Sequence, residues 1–177
     1  MRKNLITLIV ILFSGGLFIK YYYLGKITGK PVAGQTYSYT VHAQEMSAID
    51  SRVNRIEEFF ARSVLRGQAK TFVEVADANG LDWRLLPAIA MVESTGARHV
   101  PSCAQHNPFG WSSSTSPCGF YRFGSYEEAI KYVGDKIGQG IFYRKFQESK
   151  QVYDLAVPYN ENPRDWTGKV NWFINKI

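Results

Sequence analysis

Between Ser94 and Tyr126 the chain contains no aspartate and no glutamate. A catalytic site that needs two facing carboxylates therefore cannot draw either of them from this stretch. Cysteine is almost absent too: Cys103 and Cys118 are the only two, and both lie in that same acid-free segment. Neither they nor the three histidines show Cys-x-x-Cys or His-x-x-x-His spacing, so no metal or other cofactor is expected. One disulfide is the favoured reading of the pair, and a zinc site shared with His99 and His106 is the alternative. A Lys/Arg block is also missing. The net charge is +6, but its basic residues are scattered, which does not select nucleic acid as a partner. No internal repeat is present, and the nearest small-residue cleavage pattern behind the N-terminal apolar run, Val41-His42-Ala43, lies far downstream of it.

Hydrophobic content is 45% with 15% aromatics, enough for a packed core, and the length suits one domain plus an appendage. Leu5 to Ile19 form an unbroken run of apolar and small residues behind Arg2 and Lys3, followed by Lys20 and three tyrosines. With lysine snorkelling and tyrosines at headgroup level, residues 1–24 reach spanning length and are expected to anchor the chain in a membrane. Residues 25–45 read as linker, and 46–177 as the folded domain. A disulfide would put that domain outside the reducing cytosol, giving a single-pass membrane protein with its domain extracytoplasmic.

The domain is expected to be mainly α. Ser47 and Asp50 open a pattern with Ile49, Val53, Ile56, Phe59 and Phe60 on one face, and a second pattern through Phe72, Val73, Val75 and Ala76 stops at Asn79-Gly80. Ser125 and Glu128 form a capping box for a helix expected to end near Gly138, and a short helix is expected between Ser149 and Val157. Asn162-Pro163 reads as N-cap and first residue of a closing helix whose buried face carries Trp166, Val170, Phe173, Ile174 and Ile177. Between them, from Arg98 to Gly124, lies an irregular lobe of loops with room for a hairpin, closed by the two cysteines.

One stretch organises the domain. From Leu85 to Val92 every residue is apolar, Asp82 suits an N-cap and Gly96 a stop, while Pro87 is expected to bend the first turn. The helix is therefore buried all round, and the carboxylate in its last turn, Glu93, is either buried or opens into a cleft. Desolvation and the negative end of the helix dipole both favour its protonated form, as a general acid requires. The competing account is a Glu that salt-bridges to Arg98 or His99.

Over roughly Arg62 to Ile177 the chain resembles the bacterial glucosaminidase domain, endo-beta-N-acetylglucosaminidase-like and lysozyme-like in fold. The resemblance is carried by Gly80-Leu81-Asp82-Trp83-Arg84-Leu85-Leu86 with Ala88-Ile89-Ala90 and Glu93-Ser94, by Asn107-Pro108-Phe109-Gly110-Trp111, by Phe123 with Ser125-Tyr126-Glu127-Glu128-Ala129-Ile130, and by Tyr159-Asn160-Glu161-Asn162-Pro163. It implies a peptidoglycan glycan-strand hydrolase in which Glu93 protonates the glycosidic oxygen and Tyr159 positions the acetamido group. It further implies that Asn107, Phe109, Gly110 and Trp111 line the glycan cleft. Aromatic faces and amides are what pyranose rings and N-acetyl groups need. A small satellite core is the competing account of Phe109 and Trp111, and a packed turn residue that of Tyr159. The first stretch alone also fits lytic transglycosylases, and the missing lobe carboxylate leaves room for a non-catalytic glycan-binding module.

Overall fold

Apolar residues three and four apart fold into helices wherever the pattern is long enough to bury a stripe. A computed structural model describes residues 51–177. The expected anchor 1–24, the linker 25–45 and the first residues of the domain, including Ser47, Ile49 and Asp50, lie outside the described residues. Among the described residues the chain is mainly helical: 51–59 (α1), Ala69–Asn79 (α2), Leu85–Ser94 (α3), Tyr126–Gln139 (α4), Arg144–Ser149 (α5), Val152–Tyr159 (α6) and Pro163–Ile174 (α7). None of these helices is long and apolar enough to cross a membrane.

The helices pack as α3 on α7, α6 on α7 and α2 on α4. Their shared core contains Ile56, Phe60, Phe72, Leu85, Leu86, Ile89, Ile130, Ile137 and Leu155. α3 lies inside it, with Leu85 to Ala90 all buried and Met91, Val92 and Glu93 partly so. Asn162 does cap α7, its side chain accepting from the Asp165 N–H at 3.4 Å, and Trp166 and Val170 are buried as the pattern requires.

Several local expectations are corrected. α3 begins at Leu85, so Asp82 is not its N-cap; the Asp82 carboxylate accepts instead from the Arg84 N–H at 2.9 Å, bracing the turn that leads in. That start makes Pro87 a first-turn residue, where helical N–H groups have no intrahelical partner, so the reason for a bend disappears. α4 ends at Gln139, near Gly138 as expected, and Gly138 itself is in the last turn. A Cβ on it would stand 2.5 Å from Asn79 Cβ, and one turn earlier a Cβ on Gly134 would stand 2.1 Å from Val75 Cγ1. These two positions let α2 and α4 approach closely, which is why glycine is tolerated there despite its helix cost of about 1 kcal/mol. α5 has no periodicity visible in the sequence, because Phe146 is its one buried residue. α6 runs past Val157, through Pro158, to Tyr159.

In the lobe the anticipated hairpin reduces to one antiparallel bridge, Ser112 with Phe120, beside a single 3-10 turn at Ser102–Ala104. Cys103 and Cys118 are joined, with Cα atoms 6.4 Å apart. Both belong to the lobe, so the bond closes it on itself and does not tie it to the helices.

Candidate active site

α3 ends in an abrupt reversal. Thr95, Gly96 and Ala97 are all left-handed, with φ of 54°, 65° and 67°, and the Gly96 N–H donates back to the Ala90 carbonyl at 3.0 Å. The expected stop at Gly96 is thus shared with Thr95, which takes the cap position. The Ser94 hydroxyl accepts from the Ala97 N–H at 2.8 Å and donates to the Pro108 carbonyl at 2.7 Å. It pins the lobe to the helix one residue after Glu93.

The segment Asn107 to Trp111 is a strap held at each residue by a different device. Asn107 is 2% exposed, its amide donating to the carbonyls of Trp111 and Tyr121 at 2.9 and 3.0 Å while its oxygen accepts from the Trp111 N–H at 2.9 Å. Phe109 is fully buried, and its carbonyl accepts from the Tyr159 hydroxyl at 2.8 Å. Gly110 follows with φ of +60°, and a Cβ there would lie 3.1 Å from Glu93 Oε2. Glycine meets both demands, a left-handed backbone and a close approach to the carboxyl, at the least cost.

Three readings of site residues change accordingly. Asn107 and Phe109 do not face a ligand: the amide is saturated by backbone groups and the phenyl ring is core, so both shape the strap. Tyr159 commits its O–H proton to Phe109 and so holds the strap in place, leaving no donor for an acetamido group in this arrangement. Trp111 remains half-buried, its ring 5.8 Å from Tyr159 and 6.1 Å from both Tyr132 and Tyr143.

Glu93 is partly buried, and its Oε1 accepts from Trp166 Nε1 at 2.6 Å. Burial pushes its carboxyl above the ordinary glutamate range, and the indole N–H partly opposes the rise by favouring the charged form. No cation among the described residues lies within ion-pair distance of it, and His99 pairs with the Thr95 hydroxyl at 3.3 Å instead. Among the described residues no second carboxylate perturbs it either. Asp154 is occupied by Lys145 and Ser149, and Asp165 by Lys169. Tyr159 is held far above the usual tyrosine range by burial first, then by the Glu93 charge and by Tyr143, which burial alone pushes to about 12. Both phenols therefore stay neutral. A cavity of about 400 Å³ lies at the other end of α3, between Leu81, Leu85, Phe146, Lys150 and Ile174, and does not reach Glu93.

No family model matches the chain, and no curated protein and no solved structure shows significant similarity to it.

In the sequence Trp166 stands only as one residue of an apolar face. A buried indole N–H needs an acceptor, and that requirement was the available signal. It did not name Glu93, which lies 73 residues earlier.

Proposed function

We propose that this chain cleaves the glycan strands of peptidoglycan as an endo-beta-N-acetylglucosaminidase-like hydrolase of lysozyme-like type, with Glu93 as acid and then base. The observation that carries the reading is the Glu93 carboxyl, partly buried and raised in pKa by that burial, with one oxygen held by Trp166 and the other beside Gly110. A carboxylic acid that keeps its proton near neutral pH can give it to a glycosidic oxygen as the bond to the anomeric carbon breaks. Two-carboxylate glycosidases hold their pair about 5–5.5 Å apart when retaining and about 6.5–9.5 Å apart when inverting. Among the described residues no second carboxylate acts on Glu93, so in this reading the acetamido oxygen of the substrate attacks the anomeric carbon. The Glu93 carboxylate then takes a proton from the water that opens the cyclic intermediate.

The half-buried aromatic rings of Trp111, Tyr121 and Tyr132 offer faces for sugar rings. The disulfide suits an extracytoplasmic setting, and the N-terminal apolar run suits a membrane anchor. A single acid equally fits a lytic transglycosylase, in which a hydroxyl of the sugar replaces water. Zymography on purified cell walls tests for cleavage, and mass spectrometry of the released muropeptides separates the two chemistries by a reducing or an anhydro end. Walls bound but left intact would make the domain a glycan-binding module.

A further inference from the structure

The geometry points to Trp166 as the positioning residue that puts the Glu93 proton on Oε2 and keeps it there for delivery past Gly110. The role in delivery rests on the reading of Glu93 as a general acid. An indole N–H can only donate, and at 2.6 Å from Oε1 it requires that oxygen to accept. In a protonated carboxyl the carbonyl oxygen is the better acceptor, so Oε1 is the carbonyl and Oε2 carries the hydrogen. Among the described residues Oε2 has no hydrogen-bond partner; its neighbour is Gly110, whose missing Cβ would have stood 3.1 Å away. The proton is therefore carried by the oxygen beside Gly110, a strap residue that has no side chain.

Trp166 cannot easily withdraw. It is 3% exposed, its ring lies 5.1 Å from that of Tyr159, and α7 is packed along α3. Once the proton has left, the same N–H meets a full carboxylate and stabilises it for the second half of the reaction. The titratable neighbours add no competing proton. Tyr159 approaches from α6 with its hydroxyl donated to Phe109, Tyr143 acts on Tyr159, and the strap from Asn107 to Trp111 contains no titratable side chain.

Two titrations of the full-length chain test this. The Trp166 indole resonance should move with pH as Glu93 ionises, and that movement should vanish in Glu93→Gln. In Trp166→Phe, which keeps an aromatic ring and removes the donor, the Glu93 carboxyl observed by carbon NMR should titrate at higher pH than in the parent. On glycan, kcat of that variant should fall about tenfold or more with little change in KM, and the alkaline limb of the rate profile should move up in pH. An indole resonance indifferent to Glu93, or a folded Trp166→Phe whose Glu93 titrates as in the parent, overturns the assignment. If the parent cleaves no glycan, the proposed function falls, and the two titrations still decide whether Trp166 governs the Glu93 proton.

Discussion

At the scale of single residues, the design centres on one carboxyl whose acidity is set by what surrounds it. Glu93→Gln keeps the volume and the acceptor for Trp166 but removes the proton, and should reduce glycan cleavage by about 10²–10⁴-fold while the protein folds. Asp154→Asn, Glu161→Gln and Asp165→Asn should each retain substantial activity in the same assay, because these acids are exposed or paired elsewhere. One of them as damaging as Glu93→Gln, with fold intact, would reveal a second carboxylate and end the substrate-assisted mechanism. The same substitution has a stability consequence of definite sign. Burial raises the folded pKa of Glu93, so between its unfolded and folded values the native state holds a proton that the unfolded chain has released. Stability then falls as pH rises through that window. Glu93→Gln lacks this dependence and should therefore gain more stability relative to the parent at about pH 7 than at about pH 4, as read from paired thermal melts. A difference independent of pH would mean that the carboxyl is not perturbed by folding.

At the scale of elements, the strap and the seam between α2 and α4 are the two places where a small change should travel. Asn107→Ala removes three hydrogen bonds to backbone groups and leaves buried partners unsatisfied, a loss of about 1–3 kcal/mol or more. Because those bonds shape the lobe beside Gly110, activity should fall along with stability, measurable by urea denaturation and wall digestion on one preparation. Gly134→Ala tests the seam. Its Cβ would stand 2.1 Å from Val75 Cγ1, so overpacking of about 1–3 kcal/mol outweighs the gain in helix propensity of about 1 kcal/mol or less. A variant more stable than the parent would show that α2 and α4 can separate at no cost. Much of this scale was legible beforehand: α2, α4 and α7 announce themselves through long apolar stripes and clear end signals. The glycine at 138 marks the end of α4 to within a residue, but its second role, close packing against Asn79, becomes visible only with the partner helix in place.

At the scale of the molecule, the lobe is tied to the helices by Ser94 and Tyr159 and to itself by the disulfide. Reducing Cys103–Cys118 releases a closed loop of about fifteen residues, worth about 3 kcal/mol in the chain-entropy account. The melting temperature should therefore drop on reduction. The strap keeps its own bonds to α3 and α6, so below the new melting point cell-wall digestion should survive reduction. Loss of activity without loss of fold would mean that the disulfide governs the site directly. Mass spectrometry of unreduced digests checks the pairing itself.

Local sequence determined what local forces can determine. A wholly apolar run from Leu85 to Val92 favours a buried helix and puts a carboxylate at its end, but how that carboxylate is perturbed depends on the burial and the Trp166 donor that the fold supplies. Asn162-Pro163 had to start a helix, and two cysteines in one loop were free to join. Tertiary structure decided which groups meet at Glu93. Trp166, Ser94 and Gly110 come from the closing helix, the end of α3 and the lobe, and their roles are distances between elements that no spacing along the chain encodes. It also moved Asn107, Phe109 and Tyr159 from substrate contact to scaffolding. The physical reason is that an amide, a ring or a hydroxyl suits a sugar and a backbone carbonyl equally well, and the choice between them is made by burial, which only the folded chain supplies.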